Sequence, residues 1–260
     1  WFPEKIHAEL DAIILGMHAR KDNPELARAQ ELGLPIYSYP EYIYQQSLNK
    51  QRVVIAGSHG KTTITSIILH AMRVNNRTFD YLVGAQLDGF DTMVKLSENA
   101  PVIIVEGDEY PASPTDLSPK FLHYHPHVAL ISGIAWDHFN VFPTWESYVR
   151  QFEKLADSLS KSGILIFDET DDMLDVIGKN ERADVRPVPY EAHPHKIVNG
   201  QTFLTSQAYG DVPLLIFGEH NMKNISGALA VCTELGLTQD QFYRAIQTFK
   251  GAANRMETLA

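Results

Sequence analysis

VVIAGSHGKTT, residues 53–63, joins a β-branched apolar run to a glycine, serine, histidine, a second glycine, lysine and two threonines. An apolar run that breaks on glycine and resumes as TTITSIILHAMRVN, with apolar residues at helical spacing, predicts a buried strand, a tight turn and a helix. That is the unit from which parallel α/β sheets are built. The free N–H groups and the dipole of a helix N-terminus favour an anion. Gly57, Ser58, His59, Gly60, Lys61, Thr62 and Thr63 are therefore candidates to cradle the phosphates of a nucleotide. Lys61 would bring a point charge to the terminal phosphates, and the Thr62 hydroxyl stands where such loops hold magnesium. The common long loop, G-x-x-x-x-G-K-[ST], has a further glycine where this chain has Ile55. The loop is short, and a plain turn would need neither the lysine nor the threonines.

Outward from the loop, VIIVE (102–106), VALIS (128–132) and GILIF (163–167) predict buried strands of the same sheet. Ligands in open α/β sheets bind beyond the carboxyl ends of strands. Glu106 is placed to share a metal with the phosphates, and His138, beside Asp137, is a candidate ligand of a divalent ion. WESYVRQFEKLADSLSK predicts an amphipathic helix with Thr144 as its N-cap. The stretch 183–217, with turns at Asn199-Gly200 and Gly210-Asp211, predicts an antiparallel flank. Two helices close the chain, and Asn221 and Asn224, one turn apart at the start of the first, have amides that could reach a base or ribose. Upstream, DAIILG, NPELARAQEL and LPIYSY read as strand, helix and strand, the last piece of a parallel sheet whose beginning is missing.

Two clusters have simpler readings. HYHPH puts His123, His125 and His127 at period two, but Pro126 interrupts the strand and no carboxylate or cysteine follows at ligand spacing. DETDD, 168–172, is explained by capping of the helix that follows it. The one cysteine, Cys232, excludes an internal disulfide and sits on the apolar side of a helical pattern. With 44% hydrophobic and 21% charged residues, the composition is that of a globular protein. A net charge of -10 argues against a nucleic-acid surface. No apolar run is long enough to span a bilayer and no signal-peptide pattern opens the chain, so the cytoplasm is expected and a membrane partner is not.

GSHGKTT, the strand-end glutamate of EGDEY, the DH pair and GEHNMKNISGALA, in this order and at these distances, resemble the Mur ligase family, over essentially the whole chain. Its members are ATP-dependent amide ligases that build the peptide of the cell-wall precursor, and their short loop, G-[TS]-x-G-K-[ST], accounts for Ile55. The resemblance implies an α/β fold: a central ATP-binding domain over 48–250, with a mainly parallel sheet, a phosphate loop and an antiparallel flank. Ahead of it, 1–47 would be the tail of a Rossmann-like, UDP-binding domain, and 251–260 the passage into an absent C-terminal domain. It also implies ATP and Mg2+ as cofactors, with UDP-N-acetylmuramate and an amino acid or short peptide as substrates. Lys61, Glu106 and His138 would be catalytic. Thr62 and Glu106 would hold one magnesium, Glu106 and His138 a second, with Asn221 and Asn224 near the adenine and Arg255 touching ATP.

Two positions depart from the family pattern. Gly133 stands where an asparagine is usual, and Phe152 stands where several members carry a carbamylated lysine. This points to the branch that joins L-alanine or a recycled tripeptide to UDP-N-acetylmuramate, with EGDEY, KFLHYHP and DHFNVF resembling the tripeptide ligases more. From GKTT alone, a phosphate-loop hydrolase or kinase, or a non-catalytic nucleotide-binding module, would also fit.

Overall fold

The computed structural model describes residues 1–137, 139–179 and 182–252, which divide into two compact units. The smaller comprises Trp1–Asn49 and Asp108–His125. In it β1 (Ile13–Leu15) and β2 (Ile36–Ser38) pair in parallel across α1 (Pro24–Glu31). Asn23 caps α1 through the Glu25 amide, and a Ser38–Glu41 capping box starts α2 (Tyr39–Gln45). The strand–helix–strand reading of this region matches the observed elements.

The larger unit comprises Lys50–Gly107 and the chain from Pro126 onward. Its seven-stranded sheet runs β5-β4-β6-β3-β7-β8-β9. The strands are β3 (Gln51–Ala56), β4 (Asp80–Leu82), β5 (Val94–Lys95), β6 (Val102–Glu106), β7 (Val128–Ile131), β8 (Ile164–Asp168) and β9 (Arg186–Tyr190). Every pairing is parallel except β4 with β5. β3 lies in the middle because Val53 to Ala56 are apolar on both faces, and all four are fully buried. Helices α3 (Lys61–Val74), α6 (Glu219–Glu234) and α7 (Gln239–Ile246) build one core with Val53, Ile55, Ile104 and Leu130. The alternate strand residues face the other way, where α4 (Trp145–Asp157) and α5 (Asp172–Gly178) pack on β7 and β8. Cys232 lies inside the first core, and burial pushes its thiol pKa far up, as suits a small apolar filler.

The flank is an antiparallel meander of β10 (His195–Val198), β11 (Gln201–Ser206) and β12 (Gly210–Pro213). Asn199 and Gly200, both with positive φ, make its first turn. One expectation is corrected here. The stretch 183–217 is not all flank, because RPVPY is β9, parallel to β8 and reached through α5 as a further strand–helix–strand unit. Its two prolines obscured it in the sequence, and they are tolerated because β9 is the edge of the sheet. The short strands β4 and β5 also lacked a sequence signal. Among the described residues no helix is long and apolar enough to cross a membrane.

Lys50 and Asp80 form an ion pair at 2.7 Å with side chains 2% and 0% exposed. Asp80 also accepts from the Ser97 amide and hydroxyl, and Lys50 donates to the Ser97 carbonyl, so each charge has hydrogen bonds beyond the ion pair itself. Asp80→Ala strands the ammonium and should destabilise the protein by about 3–5 kcal/mol in urea titrations. Lys50→Met combined with Asp80→Leu should recover part of that loss.

Candidate functional site

The carboxyl ends of β3, β6, β7 and β8 meet where the strand order reverses around β3, which is where parallel sheets open a crevice. From β3 the chain turns through Gly57 (φ 123°) and Gly60 (φ 79°) into α3. Both positions need glycine. A Cβ on Gly60 would lie 2.3 Å from Asn224 Oδ1, and one on Gly57 would lie 2.4 Å from Ser132 Oγ. No side chain among the described residues caps α3, and the first N–H groups of a helix have no acceptor within it. Lys61 folds back over the loop and its ammonium donates to the Gly57 carbonyl at 2.7 Å. The Thr62 hydroxyl donates to Glu106 Oε1 at 2.7 Å, and Glu106 Oε2 accepts the Gly84 amide at 2.9 Å. Two hard oxygen donors thus meet at the base of the loop, a donor set suited to magnesium.

Beside the loop lies a cleft of about 650 Å³, a volume within the range of small-molecule sites. His59, Gly60 and Thr63 form one wall, and Asn221, Lys223 and Asn224 of α6 form another. Both asparagines are buried, and Asn221 Nδ2 donates to the Phe217 carbonyl at 2.7 Å. The remaining walls come from Ser132–Ala135, from Asp168, Thr170 and Asp171, and from Ile216 and Phe249. Asp168 is 2% exposed. It accepts from the Thr170 amide and hydroxyl, and from Lys223 at 2.9 Å, so an ion pair sits in the cleft wall. Burial, and secondarily the charge of Asp168, push the Tyr190 phenol pKa well above its ordinary value.

The model of the Mur ligase middle domain matches residues 55–232. The chain belongs to the Mur ligase family. Similar proteins include the UDP-N-acetylmuramate--L-alanine ligase of Desulfitobacterium hafniense (strain Y51), 27% identical over 95% of this chain and 55% of the relative. Another is the UDP-N-acetylmuramate--L-alanyl-gamma-D-glutamyl-meso-2,6-diaminoheptandioate ligase of Haemophilus influenzae, 25% identical over 95% of this chain and 56% of the relative. The chain spans little more than half the length of these curated relatives. Among solved structures, the ligase MPL from Neisseria meningitides aligns with a TM-score of 0.79 at 21% identity, over 93% of this chain and 79% of that one. The murein peptide ligase from Psychrobacter arcticus aligns with a TM-score of 0.76 at 20% identity, over 96% of this chain and 57% of that one. Both share the fold.

Of the residues that the Mur ligase resemblance singles out, the structure brings Gly57 to Thr63, Glu106, Asn221 and Asn224 to one end of the sheet. His138 and Arg255 lie outside the described residues. The Ser58 amide, expected to face phosphate, donates instead to the Gly133 carbonyl at 2.9 Å. Among the described residues no three His, Cys, Asp or Glu come together as a metal cage. Within HYHPH, His123 bonds Ser118, whereas His127 Nδ1 accepts the Arg52 amide. Asp168, Thr170 and Lys223 also line the cleft, although the sequence pattern does not single them out. DETDD predicts a cap, and Asp171 is indeed the N-cap of α5. The signal that could have exposed its second role is position, since the run directly follows a buried strand at the ligand-binding edge.

Gly60→Ala should weaken MgATP binding at least tenfold in calorimetry, because a Cβ there meets Asn224 and the left-handed backbone disfavours any other residue. The direct backbone cost is about 1–3 kcal/mol, so thermal unfolding should still show a folded protein.

Proposed function

We propose that this chain is the nucleotide-binding part of an ATP-dependent amide ligase of peptidoglycan synthesis or recycling. It would join a peptide or amino acid to the carboxylate of UDP-N-acetylmuramate. The observation that carries the reading is the Thr62–Glu106 contact at the foot of a short glycine loop, beside a cleft lined by Asn221 and Asn224. A generic phosphate-loop hydrolase also sets its loop threonine beside a strand-end carboxylate, so the short loop and the paired asparagines of the cleft are what favour the ligase. The substrate carboxylate would attack the γ-phosphorus of ATP, releasing ADP and giving an acyl phosphate. The amine would then attack the acyl carbon, losing a proton as inorganic phosphate departs. Lys61 and the N–H groups opening α3 would neutralise the phosphates, which lets an anionic carboxylate approach an anionic triphosphate. Thr62 and Glu106 would hold the magnesium, which when bound supplies further neutralising charge. His138 is proposed as a ligand of a second ion and Arg255 as a contact to ATP.

For the amine we favour the tripeptide, in line with the EGDEY, KFLHYHP and DHFNVF segments and the similar ligase of Haemophilus influenzae. L-Alanine is the second reading, favoured by the relative from Desulfitobacterium. Phosphate release from ATP by the full-length protein, given UDP-N-acetylmuramate with either L-alanyl-γ-D-glutamyl-meso-diaminopimelate or L-alanine, tests both. Release with neither amine, or equal release without any, overturns the ligase reading. Lys61→Ala should lower turnover by on the order of 10² to 10³. Thr62→Val should raise the magnesium concentration needed for half-maximal rate.

A further inference from the structure

The shape of the phosphate loop depends on more than its glycines. Besides donating its amide to Gly133, Ser58 accepts the Ala135 amide on Oγ at 2.8 Å and is hydrogen-bonded to Tyr148 Oη, also at 2.8 Å. Ser132 Oγ donates to the carbonyls of Ala56 and His59. On the far side, Asp171 Oδ2 accepts the Ile134 amide at 2.8 Å, while Oδ1 caps α5. The segment 132–135 is thus tied to the loop along its length, and it runs on to Asp137.

Tyr148 is fully buried on α4, between the rings of Phe142 and Phe152. Phenylalanine would pack there equally well. The hydroxyl is what tyrosine adds, and a buried hydroxyl persists only where it is paired. We infer that Tyr148 is a positioning residue for the phosphate chemistry. Through Ser58 it holds the loop and the segment 132–135 that follows β7 in one register. The inference rests on the nucleotide reading of the cleft. Two glycines with positive φ give the loop freedom that its own sequence does not restrict. Preorganisation must then come from outside the loop, and a misplacement of about 1 Å can cost on the order of 10² in rate.

The test compares Tyr148→Phe, Ser58→Ala and the double variant in the full-length protein, reading MgATP affinity by calorimetry and kcat/KM for amine-dependent phosphate release. Thr238→Ala, which removes the N-cap of α7 and lowers stability without touching the cleft, is the control. Tyr148→Phe is expected to lose roughly tenfold in kcat/KM, the double variant no more than the worse single, and the control nothing. Three results overturn the inference: wild-type binding and turnover in Tyr148→Phe, additive losses in the double variant, or a loss shared by the control at matched stability. A wild-type protein that binds no MgATP overturns the nucleotide reading itself, and this inference with it.

Discussion

Ile55 and Glu106 are partners across parallel strands β3 and β6, and much of the site follows from that register. Pairing of adjacent parallel strands fixes where β6 ends relative to β3, and so where a carboxylate at its end stands relative to the loop that follows β3. Glu106 reaches Thr62 at 2.7 Å for this reason, although the two lie 44 residues apart in the chain. A slip of one residue would turn Glu106 to the opposite face of the sheet. The fully apolar stretch Val53 to Ala56, buried on both faces, supports this register from the core side.

The same logic extends to the other side of β3. β7 pairs with it from Val53↔Val128 to Ala56↔Ile131, so Ser132 and Gly133 emerge beside the loop. β8 pairs next, and Asp168 and Asp171 emerge beside them. α6 then lays Asn224 against Gly60, closer than any side chain at position 60 would allow. The ends of β3, β7 and β8 each contribute a polar group or a backbone segment to the same cleft, while Glu106, at the end of β6, meets Thr62 at the foot of the loop. The ion pair Lys223–Asp168 joins α6 to the end of β8 across its wall.

Much of this was legible in the sequence because it is local. Strand, glycine turn and helix at 53–74, the capping residues Thr144 and Asp171, and the turn at Asn199-Gly200 all rest on interactions between near neighbours. The less legible parts are those in which context overrides composition. β9 carries two prolines that only an edge strand tolerates, and β4 and β5 are too short for a periodic signal. DETDD looked complete as a cap, and nothing in its spacing says that Asp168 would be 2% exposed and paired with a lysine 55 residues later.

The sequence by itself determined that the chain builds a mainly parallel α/β sheet with a short phosphate loop, because a β-branched strand, a glycine turn and an amphipathic helix are encoded in the consecutive residues 51–74. It also named Lys61, Thr62 and Glu106, since strand ends in such sheets face the ligand. Only the tertiary structure decided which groups share the cleft and which are engaged elsewhere. The Ser58 amide turns to Gly133, the Tyr148 hydroxyl turns to Ser58, and Lys223 turns to Asp168. The physical reason is that hydrogen bonds and ion pairs between distant segments depend on strand order and register, which packing fixes across the whole sheet and no short stretch of sequence records.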